Sequence, residues 1–309
     1  MTKNKIAIIT GFNGQDGFYL NKLLIKKNYR IFGLVRKKNK NLKGKNIIKT
    51  DYSFDHIFKI VKKVKPNEIY HFASQSFPSL SWNNLNKTLN SINDISKNFL
   101  ITQQKVKKKF KFFNSSSCEI FAPTNKKLTE ESKIFPINPY GCAKAFSHYM
   151  VCSFRENYNL FAINGIFFNH DSIKSNNKFL LKKIVSTAIN IKRGKEKHLY
   201  LNSLKPIRDF GHAEDYVQAV YKVMQLKKPQ DYIIASGKQY SVKQIVKKIF
   251  KKLNLNTKSV KEKKIFNFKT VQKKTASIKR IKKFTNWKPK KNIDQIIEEL
   301  IDFELNIKK

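Results

Sequence analysis

Arginine is scarce in this sequence, with 6 residues against 58 lysines, although the basic side chains outnumber the 21 acidic ones threefold. A net charge of +43 invites a nucleic-acid reading. Proteins that read nucleic acid lean on arginine for bidentate and stacked contacts that lysine cannot make. The lysines are also spread along the chain among abundant asparagine, isoleucine and phenylalanine, the joint bias that A/T-rich codons produce. The charge therefore reads as a solvated lysine coat, and no nucleic-acid partner is expected. Cysteine is rare and odd in number: Cys118, Cys142 and Cys152 have no metal-ligand spacing and exclude a disulfide framework. No metal is expected. No apolar run approaches the ~20 residues of a membrane span, so no membrane partner is expected either. Lys3 to Thr10 is short and runs straight into a glycine loop, which marks a strand rather than a signal peptide. These absences fit a soluble protein of a reducing, cytoplasmic compartment.

What is present is a chain of 309 residues, 40% hydrophobic, able to bury a sizeable core. Lys5-Ile-Ala-Ile-Ile-Thr10 is a continuous apolar run of the kind buried on both faces of a parallel sheet. Further strands are predicted at 30–35, 46–49, 68–73, 110–115 and 160–168, with helices between them at 19–25, 54–64, 92–107 and 140–156. Strand alternating with helix predicts an α/β fold, a Rossmann-type doubly wound parallel sheet. After residue 170 the pattern loosens into a polar stretch, Asp171 to Lys178. Helices follow at 179–192, 213–224, 241–253 and 293–305, with one strand at 232–235. The lysine-rich stretch 258–274 is weakly periodic and reads as a loop or irregular element, and no internal repeat is found. The expected organisation is a dinucleotide-binding domain over 1–170, to which later segments return, and a smaller C-terminal substrate-binding lobe over 171–309. The cleft between them is the expected site.

Gly11-Phe-Asn13-Gly14-Gln15-Asp16-Gly17 follows the first strand and opens a helix. Glycines there allow a tight turn and close backbone approach to a pyrophosphate, which then sits on the helix N-terminus. The Gly-x-x-Gly-x-x-Gly spacing is that of short-chain dehydrogenases. The second strand ends in Arg36, where NAD-binding folds place an acid for the ribose hydroxyls. A guanidinium there, with Lys37 beside it, would pair with a 2′-phosphate, so NADP is the expected cofactor.

Pro139-Tyr140-Gly-Cys-Ala-Lys144 sets a phenol and an ammonium four residues apart on one helical face. A free phenol, pKa ~10, is a poor base at neutral pH. A nearby ammonium and a cationic nicotinamide would both stabilise its phenolate. The same lysine can hold the nicotinamide ribose. Upstream, a strand ends in Asn114-Ser-Ser-Ser117-Cys118-Glu119. Ser117 can donate a hydrogen bond to the substrate oxygen that Tyr140 deprotonates. Glu119 is expected to point the same way if the strand continues. An alcohol dehydrogenase needs no carboxylate there, whereas an enzyme that removes a carbon-bound proton does.

Together these residues resemble the extended short-chain dehydrogenase/reductase family, and within it the GDP-mannose 4,6-dehydratases. The resemblance covers nearly the whole chain. It rests on Thr10-Gly-Phe-Asn-Gly-Gln-Asp-Gly17, with its Gln15-Asp16 pair, and on Ala73-Ser74-Gln75-Ser76. It rests also on the stretches from Asn157 to His170 and from Arg208 to Tyr216. The resemblance implies oxidation of a nucleotide sugar (GDP-mannose) at C4 by NADP, loss of water across C5 and C6, and return of the hydride to C6. It also implies that Asp51 and Tyr52 lie near the adenine, that Phe72 to Ser76 line the cofactor cleft, and that His170 approaches the cofactor. Asn169 and Arg208 match positions near the sugar nucleotide, where Arg208 could pair with the diphosphate.

Three departures bear on substrate and assembly. The family's Pro-Arg-Arg-Gly stretch, which reaches a neighbouring subunit's cofactor, is here Ile173-Lys-Ser-Asn176. A homo-oligomer is expected, with a dimer favoured over a tetramer. The nucleotide-binding Arg-Pro-x-Glu motif is replaced by Asn267-Phe-Lys-Thr270, with Lys269 or Lys273 as substitute charges, which leaves the base open. The segment from Lys37 to Lys45 is shorter than in the dehydratases. A nucleotide-sugar epimerase or 4-keto reductase of the same family stands as the alternative. A non-catalytic or nucleic-acid-associated protein that kept the fold is the remote one.

Overall fold

The computed structural model describes residues 4–36, 46–263 and 273–306. Lys37, the segment 37–45, and the stretch 267–270 with Lys269 lie outside the described residues. The central sheet is wholly parallel and seven-stranded. Its strands are β1 (Ile6–Thr10), β2 (Arg30–Val35), β3 (Ile47–Lys49), β4 (Glu68–His71), β5 (Lys111–Ser117), β6 (Ala162–Phe167) and, returning from far along the chain, β10 (Tyr232–Ile234). Their order is β10-β6-β5-β4-β1-β2-β3. The order reverses between β1 and β4, so a crevice opens beyond the carboxyl ends of those two strands. β1, β4, β5 and β6 are buried on both faces; β1 and β6 are largely apolar, whereas β4 and β5 also bury polar residues such as Glu68, His71 and Asn114.

One face of the sheet packs on α1 (Gln15–Lys26) and α6 (Ala213–Met224), through Leu20, Leu24, Val217 and Val220. The other packs on α2 (Phe54–Val64), α3 (Leu85–Lys105) and α4 (Pro139–Tyr158), through Ile57, Ile95, Phe99 and Val151. Trp287 anchors to the first face, donating from Nε1 to the Asp215 carbonyl at 3.1 Å. The helix predicted from residue 92 starts at Leu85. Its first turns bury Thr88 and Ser91 instead of apolar side chains, which hid the helical period.

A second core fills the C-terminal lobe. There α5 (Leu180–Lys192), α7 (Val242–Lys252) and α9 (Ile293–Asn306) bring together Ile184, Val185, Ile249, Ile297 and Leu300. Short strands edge this lobe. β9 (Ile207–His212) pairs with β7 (Asn169–Asp171), β11 (Gln239–Ser241) and β13 (Lys273–Lys274). A separate parallel pair joins β8 (Leu199–Leu201) to β12 (Val260–Glu262), and α8 (Lys279–Thr285) leads to Trp287. The stretch 258–274 is therefore not irregular throughout, since both of its described ends pair as strands. No helix among the described residues is long and apolar enough to cross a membrane. All three cysteines are free thiols.

Candidate active site

A cleft of about 400 Å³ opens at the switch point, walled by the glycine loop, the ends of β4 and β5, the start of α4, and β7. The glycine loop closes on itself through Gly14 N–H to the Gly11 carbonyl at 2.8 Å. A Cβ on Gly17 would lie 2.4 Å from the Gly11 oxygen and 2.8 Å from Phe12 Cα, so only glycine lets α1 pack this close. Gly14 is the N-cap of α1 and supplies no side-chain cap, which leaves first-turn amides at the cleft wall. Such a cradle fits a dinucleotide pyrophosphate. Asp16 would oppose that charge, but its Oδ1 meets His170 Nε2 at 2.9 Å. Burial alone would lower the imidazole's pKa, yet Asp16 beside it raises it, so the pair tends toward internal neutrality. Gln15 extends this seam, donating to the His170 carbonyl at 3.3 Å and accepting from Ser172 Oγ at 2.8 Å. Thr10 Oγ1 accepts from the Phe72 and Ala73 amides at 3.1 and 3.0 Å, fixing the loop that continues β4.

On the opposite side, Asn138 caps α4, accepting from the Gly141 amide at 2.8 Å, with Pro139 at the first helical position. Gly141 lets this helix start touch the turn that follows β5: a Cβ there would lie 2.3 Å from the Glu119 carbonyl oxygen. Tyr140 and Lys144 are both buried in the cleft wall. Lys144 Nζ donates to the Ser115 carbonyl at 2.6 Å and to Ser74 Oγ at 3.2 Å, and sits 5.8 Å from the Tyr140 ring centroid. Burial pushes its pKa down to about 7, partly offset by Asp16. Burial pushes the Tyr140 phenol up, opposed by a hydrogen bond with Ser117. The protein alone thus does not lower the phenol, because its burial outweighs the Ser117 hydrogen bond.

Glu119 sits on the 3-10 turn Cys118–Ile120 rather than on a continued strand. Its amide donates to Ser117 Oγ at 3.2 Å, and both residues line the cleft with Tyr140. Burial would raise its pKa, but Lys274, Arg208 and Asn138 together hold the carboxyl below its ordinary range. Lys274 is the residue that sequence reasoning missed. It is fully buried, with Nζ 2.9 Å from Glu119 Oε2, and it reaches the site because β13 pairs with β9 opposite Arg208. No local motif signals it.

The cleft wall thus gathers Gly11, Asn13, Gly14, Gln15, Asp16, Gly17, Phe72, Ala73, Ser74 and Ser76 with Ser117, Glu119, Tyr140, Lys144, Asn169 and His170. The remaining candidates stand outside this wall. Gln75 folds onto its own loop, donating to the Phe77 carbonyl at 2.9 Å. Tyr52 is buried, its hydroxyl donating to the Leu34 carbonyl at 3.0 Å. Asp51 is exposed and takes His56 Nδ1 at 2.7 Å, with its pKa held down to about 2 by the Ser53 backbone and side chain. Arg36 is exposed at the end of β2, 5.9 Å from the Tyr52 ring. Arg208 is half-buried, close enough to Glu119 to interact with its charge, and donates to the Ile207 carbonyl at 3.0 Å.

Among the described residues, His148, Cys152 and Asp231 bring three potential metal ligands within 4.8 Å of one another. Arg155 already supplies the cation, 2.8 Å from Asp231 Oδ1 and 3.6 Å from Cys152 Sγ. The cluster buttresses Ser116, whose Oγ meets His148 Nδ1 at 3.2 Å.

Comparison with known proteins agrees with this architecture. The family model described as GDP-mannose 4,6 dehydratase matches residues 8–300. The chain is 32% identical to the GDP-mannose 4,6 dehydratase of Dictyostelium discoideum, over 82% of this chain and 77% of that protein. Two solved structures share the fold. One is dTDP-glucose 4,6-dehydratase of Bacillus anthracis in complex with NAD, with a TM-score of 0.84, 18% identity, and coverage of 98% of this chain and 97% of that one. The other is RMD of Pseudomonas aeruginosa complexed with NADPH, with a TM-score of 0.82, 16% identity, and coverage of 98% and 100%.

Proposed function

This chain belongs to the GDP-mannose 4,6-dehydratase family, and on that premise we propose that it converts GDP-mannose to GDP-4-keto-6-deoxymannose and water, with NADP as its nicotinamide cofactor. The observation that carries this reading is a carboxylate beside the phenol: Glu119, Ser117, Tyr140 and Lys144 share one cleft wall. A bound nicotinamide supplies a reversible hydride acceptor for C4 of the sugar, so the reaction has no net redox change.

Tyr140 takes the 4-hydroxyl proton, and Ser117 orients that hydroxyl by hydrogen bonding. Lys144 reaches the nicotinamide ribose from the Ser74 side of the cleft. Once C4 is a ketone, the C5 proton is acidic, and Glu119 removes it and returns it to the departing 6-hydroxyl. Gly11, Asn13, Gly14, Gln15, Asp16 and Gly17 cradle the pyrophosphate, with His170 neutralising Asp16. Asn169 faces the sugar nucleotide, and the half-buried Arg208, close to Glu119, is the cation for its diphosphate. The related folds hold NAD in one case and NADPH in another. The fold therefore does not choose, and Arg36 is the residue that favours the 2′-phosphate. Asp51 and Tyr52 shape the adenosine end from outside the cleft wall. Residues 1–170 form most of the cofactor domain, rejoined by α6 and β10, and residues after 170 form most of the substrate lobe. The exposed Phe146 and Tyr149 on α4 favour a homodimer through that helix. A cytoplasmic location suits the free thiols.

The test is turnover. Purified protein with GDP-mannose and catalytic NADP should yield a 4-keto sugar nucleotide without accumulating NADPH. Stoichiometric NADPH consumption with a keto-sugar would sink the dehydratase reading in favour of a reductase. Running GDP-, UDP-, CDP- and dTDP-sugars in parallel settles the base.

A further inference from the structure

Lysine is almost never fully buried unless its charge is met. Lys274 is fully buried, and among the described residues its charge is met by one, the acid on the cleft wall: Nζ lies 2.9 Å from Glu119 Oε2. Asn138 Nδ2 donates to the same oxygen at 2.9 Å. Both donors therefore fall on Oε2, and no described residue hydrogen-bonds Oε1. The lysine is held from both sides of its short strand. The Thr124 amide donates to the Lys273 carbonyl and the Leu128 amide to the Thr275 carbonyl, each at 2.8 Å. Asn138 is itself fixed as the cap of the helix that carries Tyr140. A buried ion pair that served only the fold could be replaced whole by well-packed apolar side chains at little cost, because burying such a pair rarely gains net energy. Its contact with one oxygen of a site carboxylate points to the reaction instead.

We propose that Lys274 is a positioning residue for the elimination step, clamping Glu119 Oε2 so that Oε1 is the oxygen that takes and returns the proton. This rests on the reading of Glu119 as the C5 base. Oε1 accepts the C5 proton while the C5–H electron pair moves into the 4-keto group as an enolate. The enolate then forms the C5–C6 double bond and breaks the C6–O bond, and the leaving hydroxyl takes the same proton from Glu119 and departs as water. A fixed ammonium at Oε2 weakens Glu119 as a base and strengthens its conjugate acid, so Lys274 favours the departure of water.

The groups facing Glu119 are Lys274 from β13, Arg208 from β9, Tyr140 from α4, and Cys118 on its own turn. Two of these are cations that hold the carboxylate ionised at low pH. Removing Lys274 must raise the Glu119 pKa. Since activity needs the carboxylate, the acidic limb of the kcat/KM profile moves to higher pH.

The experiment compares Lys274→Met, Lys274→Arg and Glu119→Gln in the full chain, with GDP-mannose and NADP. For Lys274→Met we expect an acidic limb about one pH unit higher, and thus roughly tenfold lower kcat/KM below it. Single turnovers followed by NADPH absorbance should show C4 oxidation within about twofold of the parent and a slowed return of the signal. Lys274→Arg should restore the limb. An unmoved limb, or oxidation and return slowed equally, overturns the proposal while leaving Glu119 as the base. Undiminished dehydration by Glu119→Gln would instead overturn the reading of Glu119. Should Lys274→Met not fold, Lys274→Gln keeps a hydrogen bond without the charge and must move the limb in the same direction.

Discussion

The cofactor wall of the cleft is made largely of backbone, supplied by a glycine loop and by the loop after β4, with Thr10 tying the two together. The facing side relies on charge, drawn from segments far apart: Glu119 on the wall meets Lys274 behind it across 155 residues, and Arg208 lies opposite that lysine on β9. A wall of backbone amides has few alternative sequences, because any Cβ intrudes on it. A wall of paired charges can be rebuilt with a cation delivered from another strand. That difference is consistent with a chain that keeps an intact glycine loop while carrying Asn267-Phe-Lys-Thr270 where the resemblance implies an Arg-Pro-x-Glu motif.

The reacting phenol sits where the walls meet, so Tyr140→Phe should have the largest effect. Loss of a general acid–base group of this kind lowers kcat by ~10³-fold. NADP binding should stay within about twofold, since the phenol hydrogen-bonds Ser117 and no residue of the glycine loop. Rapid kinetics of NADPH formation with GDP-mannose would measure this, and a variant that retains C4 oxidation would remove Tyr140 from the chemistry.

Gly17→Ala probes the backbone wall directly. The added methyl would press on the Gly11 oxygen and Phe12 Cα, neither of which can move without opening the loop. Stability should fall by roughly 2–3 kcal/mol, read as a lower urea midpoint, with dinucleotide affinity reduced alongside. Equal stability and affinity would show that the loop is softer than its contacts imply.

The same contrast governs what could be read from the residues alone. The glycine loop, Ser117, Glu119, Tyr140 and Lys144 belong to short local motifs whose spacing already encodes their geometry. Lys274 belongs to a two-residue strand, and its meaning comes only from register with β9. The three-residue strands β7, β8 and β11 are too short to show a period. The resemblance implies that Tyr52 lies near the adenine, and the donation from its hydroxyl to the Leu34 carbonyl is a side-chain direction that the residues alone do not encode. Long-range register and side-chain direction carry no local pattern, and these are the parts that needed coordinates.

Arg36 lies outside the cleft wall, exposed at the end of β2, where a side-chain charge rather than backbone would meet the cofactor. Arg36→Asp should shift the NADP-to-NAD preference in kcat/KM by about tenfold or more, because a lost phosphate pairing and a new repulsion act together. An unchanged ratio would place the 2′-phosphate contact elsewhere.

The smallest expected effect tests whether the two walls are mechanically joined. Phe77, on the loop after β4, stacks on Phe179 at the start of α5, with ring centroids 4.7 Å apart and planes 25° from parallel. Both rings are half-buried, so burial contributes modestly and the pair geometry matters more. Gln75 holds Phe77 in place by donating to its carbonyl and accepting from its amide at 3.1 Å. A double-mutant cycle of Phe77→Leu and Phe179→Leu on the unfolding free energy should give a coupling of about 0.5–1 kcal/mol. Because Phe179 also lines the cleft, Phe179→Leu should raise KM by about two- to threefold with kcat unchanged. A coupling near zero with KM unmoved would mean that the walls meet only through Tyr140 and the α4 cap, and that the lobe can open without disturbing the cofactor.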